Sequence, residues 1–145
     1  MRTATLPLVV VLLMLGSPAA ARDDAIHLSW SDLINSQEAR EKLDSGVRLY
    51  LAGAKTPRIV ERLETDTVSK KTRSLGRNTL TSCARAALSA LIAMQAEAKK
   101  RGANAVVDIF SYYDKSAFRS TTEYECHNGT MVTGVAFQGT YAKLR

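Results

Sequence analysis

The sequence predicts an α+β fold: a mainly antiparallel sheet with one long helix packed across it and a peripheral N-terminal helix. Three observations lead there. One unbroken helical pattern, rich in Ala, Leu and Met, runs from Asn78 to Gly102. Strand-like segments lie before and after it, rather than alternating with further long helices. The last two segments meet at Asn128-Gly129, a strong two-residue hairpin signal because both positions tolerate positive φ.

The chain opens MRTATLPLVVVLLMLGSPAAARDD. Arg2 precedes an apolar run from Leu6 to Leu15, Gly16-Ser17-Pro18 breaks the helix, and Ala19-Ala20-Ala21 supplies the small residues a signal peptidase reads. A secretory signal peptide is therefore expected over residues 1–21. A retained anchor is the alternative, but the run is about half the roughly 20 residues a membrane span needs. No cysteine lies near the cleavage point, so a lipoprotein is excluded. The expected mature chain is periplasmic or secreted, soluble, and without a stable membrane anchor. Removing 21 of 145 residues leaves 124, and the net charge falls from +6 to +5 because only Arg2 is charged in that stretch. That length suits a lead-in and helix over 22–46 and one domain over 47–145.

Residues 22–28 read as a poorly ordered lead-in. Residues 31–44 read as a helix with Ser31 as cap, Asp32 near its positive end and Gly46 as stop; Trp30, Leu33, Ile34, Ala39 and Leu43 form a loose apolar stripe. GVRLYLAG alternates as a strand, with Val47, Leu49 and Leu51 on one face and Arg48 and Tyr50 on the other. After Pro57, the Val/Thr content of IVERLETDTVSKKTRS favours a second strand. The long helix is capped by Asn78 or Thr79. Its stripe is Leu80, Cys83, Ala87, Leu91, Met94 and Ala98, and Gly102 closes it in the left-handed conformation. ANAVVDIFSYY is a strand covered on both faces, 114–120 a loop, and RSTTEYECH a strand. In TMVTGVAFQGTYAKL, Met131, Thr133, Val135, Phe137 and Tyr141 share one face; Val132, Gly134, Ala136 and Ala142 share the other, which is small enough for a helix to approach closely.

EYECHNG, at 123–129, is the densest cluster of ligand-type residues. Alternation puts Tyr124 and Cys126 on the core face and Glu123, Glu125 and His127 on the open one, so Cys126 and His127 do not share a metal or act as nucleophile and base. Cys83 lies on the helix stripe over that core face. Two core-facing cysteines in an exported protein point to a Cys83–Cys126 disulfide. Glu123, Glu125 and His127 form either a solvated polar face or a metal site; alternate residues on a strand lie roughly 7 Å apart, too far to converge on one ion unaided. His27 carries no signal of its own. Asp108, amid AVVDIF, reads as a strand-edge or backbone-bonded carboxylate, with a functional acid as the alternative. Lys70, Lys71, Arg73 and Arg77 are the candidate partner-binding residues, either an anion-facing patch or a solvated hairpin. No aromatic residue lies among them, so the stacking platform of a nucleic-acid binder is missing. GxSxG, HExxH, CxxC and Walker-type loops are absent, which implies no cofactor and no enzyme. The sequon Asn128-Gly129-Thr130 sits in the expected turn of a chain whose signal peptide is bacterial in form, so glycosylation is not expected.

The junction A-x-A-KKR-GANAVVDI, at 96–109, resembles the YbjQ/RcsF-like superfamily, in which a long helix runs through a Gly-Ala-Asn-Ala turn into a strand of valines and isoleucines. Gly102, Ala103, Asn104, Ala105, Val106 and Val107 carry the match, and the order of elements extends the likeness over 47–142. Residues 82–144 also resemble small exported bacterial proteins often labelled as excinuclease subunits, a label this chain does not support without a nucleotide-binding loop. The resemblance implies a compact α/β sandwich. One branch of the superfamily has heavy-metal-binding or oligomeric domains; another is the envelope-stress sensor lipoprotein of the Rcs pathway, with disulfides in its signalling domain. This chain lacks that sensor's lipidated cysteine and proline-rich tether. The expected function is a non-enzymatic interaction module in envelope-stress sensing or assembly, engaging an envelope protein or an anionic envelope component such as lipopolysaccharide or phospholipid. Nucleic acid is not an expected partner, and a homo-oligomer is left open. The alternative is a small-ligand or metal-binding protein using Glu123, Glu125 and His127.

Overall fold

The computed structural model describes residues 23–145, so the expected signal peptide lies outside the described residues. The elements are β1 (Asp23–Ser29), α1 (Trp30–Ile34), α2 (Gln37–Lys42), β2 (Arg48–Leu51), β3 (Ile59–Arg73), α3 (Thr79–Lys100), β4 (Ala105–Tyr113), β5 (Ser116–Phe118), β6 (Glu123–Gly129) and β7 (Val132–Leu144). The fold is α+β, a mixed and mostly antiparallel seven-stranded sheet with α3 packed against it. Among the described residues no helix is long and apolar enough to cross a membrane.

β7 is the axis of the sheet. β3 pairs with it antiparallel from Ile59–Leu144 to Arg73–Val132, filling one edge. Its other edge is shared: β6 takes the start, at Gly134 and Thr133, and β4 takes the rest, from Phe137 to Ala142. β1 lies outside β6, and β2 lies parallel to β4, a pairing that needs the long crossover through β3 and α3.

α3 starts where Asn78 Oδ1 accepts from the N–H of Leu80 at 2.8 Å and of Thr81 at 3.4 Å. It ends at Gly102, whose φ of +71° lets the N–H of Ala103 return to Ala98 O at 2.9 Å. Cys83, Ala87, Leu91, Met94 and Ala98 are fully buried as the stripe predicts, but Leu80 is exposed. The helix covers the face of β7 that carries Val135, Phe137 and Tyr141, not the small-residue face expected. Close approach is made at Gly139 on that same face, where an added Cβ would lie 2.8 Å from Val106 Cγ1 and 2.9 Å from Met94 Cε. The other face has its own small cluster of Ala105, Val107, Ala142 and Leu144, with Tyr50 and Ile59 against it.

Several local expectations are corrected. Residues 23–29 form strand β1, whose Ile26 and Leu28 pack on the core opposite Cys126 and Tyr124. The single helix over 31–44 is two short ones: Ser29 caps the first, and Ser36 breaks the run by donating to Leu33 O and accepting from Ala39 N. The 114–120 loop holds β5, joined to β4 through Asp114 and Lys115, both at positive φ. The last hairpin turns at Thr130-Met131, two residues beyond Asn128-Gly129, because Asn128 is paired with Thr133 and accepts a hydrogen bond from its hydroxyl at 3.0 Å. Asp108 sits at a bulge with φ +53°, and its carboxylate meets the Arg62 guanidinium at 2.5 Å rather than a backbone group.

Candidate functional site

Cys83 and Cys126 are joined, with Sγ atoms 2.04 Å and Cα atoms 5.8 Å apart. Both residues are fully buried and Tyr124 nearly so, which confirms the division of EYECHNG into two faces. Burial pushes the Tyr124 phenol up to about 12.

The open face of β6 meets β1 in antiparallel register, with His27 opposite Glu125 and Asp23 opposite Gly129. Four side chains join in line. Glu125 reaches His27 Nε2 with Oε2 at 3.1 Å and His127 Nε2 with Oε1 at 2.7 Å; His127 Nδ1 meets Asp23 Oδ1 at 3.1 Å. Each imidazole is stacked on an aromatic ring, His127 on Tyr113 at 3.8 Å and His27 on Phe118 at 3.9 Å between centroids. Both ring nitrogens of His127 thus face carboxylate oxygens. A ring with a proton on each nitrogen donates to both, whereas a neutral ring donates to one.

Glu123 stands outside this network, and among the described residues no group of three or more His, Cys, Asp or Glu side chains is placed to hold a metal ion. The carboxylates of Asp23 and Glu125 serve as hydrogen-bond acceptors for the imidazoles. His27, silent in the sequence, is a full member. The signal that could have found it is the alternation of DDAIHLS, with Ile26 and Leu28 inward and His27 outward.

Alternation also divides the basic segment. On β3, Val68 packs on the α3 side and Lys70 shares its parity, while Lys71, opposite Gly134, and Arg73 project from the other face. Arg77 lies in the loop that follows, its N–H bonded to Ser74 O. The structure therefore does not bring the four cations together. It brings Lys71 to the carboxylate–imidazole line, across an open cleft of about 500 Å³ that Lys71, Asp23, Tyr113, His127, Met131 and Val132 help to form.

The cleft depends on two backbone features. Gly134 seats the Tyr113 ring, since a Cβ there would lie 2.8 Å from Tyr113 Cε2. The hairpin tip is pinned from the loop after β3: Ser74 Oγ donates to Gly129 O at 2.8 Å, and the Ser74 N–H to Met131 O at 3.0 Å. Met131, 64% exposed, and Val132, 46% exposed, are thereby held in water at the rim. Burial, with the charges of Asp23 and Asp114, raises the Tyr113 phenol above its usual range. The cleft combines one ammonium, a partly buried carboxylate–imidazole line, an aromatic floor and an apolar rim. No protein-family model matches the chain, and no curated protein matches it.

Proposed function

We propose that the protein is a non-enzymatic interaction module of the periplasm or the secreted space, acting in envelope-stress sensing or assembly. The Lys71–Tyr113–Met131 cleft is its docking surface. The observation that carries the reading is the pinned hairpin tip, which presents Met131 and Val132 to water beside a single ammonium group. An apolar rim next to Lys71, with Arg73 on the same face of β3, fits an envelope partner that offers an apolar group beside a negative charge. The signal-peptide pattern and the likeness of residues 96–109 to the YbjQ/RcsF-like superfamily support the compartment. A small amphiphilic ligand is the second reading, favoured by a cleft volume within the roughly 300–1,000 Å³ range of ligand sites.

A photoreactive residue at Met131 in intact cells tests this. Capture of an envelope protein should fall on Lys71→Glu and persist on Lys100→Glu, at the far end of α3. Capture insensitive to Lys71→Glu overturns the docking surface, and labelling confined to lipid or a small molecule selects the second reading.

A further inference from the structure

β3 is a sheet edge of unusual length. Its 15 residues pair with β7 on one side, and among the described residues no strand pairs with the other. Globular strands are usually 3–10 residues long, and a long open edge is a template for another strand. Edges are normally blunted by charge, and this one is charged, but apart from Arg62, which is paired with Asp108, its charges are sorted by sign. Glu61, Glu64 and Asp66 occupy the first part, with Arg62 among them, and Lys70, Lys71 and Arg73 the last. Parallel pairing of two such edges would set like charges together, whereas antiparallel pairing sets opposite charges together. Thr65, Thr67, Val68 and Thr72 favour the extended state.

We infer that β3 pairs with β3 of a second copy of this chain, antiparallel about a two-fold axis at Thr67, making one continuous sheet. A two-fold normal to the sheet preserves faces, so each residue must meet one of its own parity. Centring at Thr67 places Glu64 opposite Lys70, Thr65 opposite Ser69 and Asp66 opposite Val68, with no like-charge pair. Moving the centre to Asp66 sets that carboxylate against itself and Arg62 against Lys70. Moving it to Val68 exchanges the Glu64–Lys70 match for Asp66–Lys70, but the Asp66 carboxylate already accepts from the Thr67 N–H at 2.8 Å and the Tyr141 hydroxyl at 3.2 Å. The register irregularity between Arg62 and Thr65 offsets Glu61 from Arg73 by about one position, so Glu64–Lys70 is the pair that defines the register. Both belong to the α3 side of the sheet: Glu64 lies within 3.2 Å of Arg101, and Lys70 is opposite Val135. Glu64 is 75% exposed, and among the described residues Lys70 has no ion-pair partner. Because the axis keeps faces, both copies present Lys71 and the cleft on the same side. The dimer would be bivalent toward a surface carrying two partners. The pairing does not rest on what the cleft binds.

Sedimentation equilibrium of the purified chain at 50 mM salt tests the inference. We expect a dimer, with Lys70→Glu and Glu64→Lys each raising the dissociation constant about tenfold or more, since each converts two cross-strand attractions into repulsions. The double variant Glu64→Lys/Lys70→Glu should restore dimerisation. Among the described residues Lys70→Glu breaks no ion pair, so an unchanged melting temperature separates lost association from lost folding. A wild-type chain that stays monomeric up to millimolar concentration overturns the inference. So does a dimer indifferent to both single reversals, or one the double reversal fails to restore.

Discussion

Loss of the Cys83–Cys126 bond should cost this domain a large share of its stability. The bond closes a separation of 43 residues that contains most of α3, all of β4 and β5 and the start of β6. Chain-entropy arithmetic for that separation gives about 4 kcal/mol at 25 °C. Both cysteines are fully buried, so replacing them with alanine also removes packed sulfur, and 4 kcal/mol is a floor. The described chain spans 123 residues, 23–145, for which the unfolding entropy near the melting point is about 0.26 kcal/mol/K. Cys83→Ala/Cys126→Ala should therefore lower Tm by about 15 °C. Calorimetry of the wild type, the wild type with reductant and the double variant measures this, with intact mass reporting the thiol state. A double variant melting within about 3 °C of the oxidised wild type would refute the entropic account.

Gly134→Ala should leave Tm nearly unchanged, since the Tyr113 ring, partly exposed at the cleft, can move. It should abolish the ring-current shift that Tyr113 imposes on His127 by proton NMR, and unaltered His127 resonances would show that the glycine does not seat the ring. Asn104→Ala removes the amide that donates to Leu144 O at 3.0 Å and accepts from Leu144 N at 2.7 Å, so chemical denaturation should show a loss of about 2 kcal/mol. Raising the pH should also destabilise the fold. The phenol of Tyr124 is protonated in the folded state up to about 12 but ionises near 10 when unfolded, so its contribution is complete below pH 10 and is lost between pH 10 and about 12. That loss is roughly 3 kcal/mol, read as a falling urea midpoint, and Tyr124→Phe should flatten the slope in part, Tyr141 being raised by burial as well.

What the sequence told correctly is what depends on local period. The α3 stripe from Cys83 to Ala98, its Asn78 cap and its Gly102 stop all follow from 3.6-residue spacing and end chemistry, and the disulfide from two cysteines on core-facing sides. The Gly-Ala-Asn-Ala turn also acquires a physical reason. Gly102 closes the helix, Ala103 and Ala105 are buried, and Asn104 acts as a surrogate strand partner for the end of β7. What stayed hidden depends on distant pairing. β1 has two inward apolar residues, and its partner β6 lies about a hundred residues away, so nothing local distinguishes it from a lead-in. The hairpin turn moved by two residues, a shift that alternation cannot see because it keeps every side chain on its face. Pairing of β7 with β3 and β6, and the Ser74 anchor on the tip, set its place.

The same dependence explains why spacing misjudged the candidate site. Alternation already divides EYECHNG in the sequence, but the lysine-rich segment looked like one cluster, and the two faces of β3 part it. The surface that results takes Asp23 and His27 from β1, Lys71 from β3, Tyr113 from β4 and Glu125 and His127 from β6. Folding alone accounts for much of it: the imidazoles satisfy carboxylates, and Gly134 makes room for a ring. Folding does not account for the tip. Exposed apolar surface costs about 25 cal/mol for each Å² left in water, and a loose hairpin end could turn its side chains inward. Here Ser74 holds the turn by two hydrogen bonds with Met131 and Val132 outward, beside a lysine whose own neighbours on the strand point elsewhere. A rigid apolar tip that gains nothing for the isolated fold is explained if a second molecule covers it.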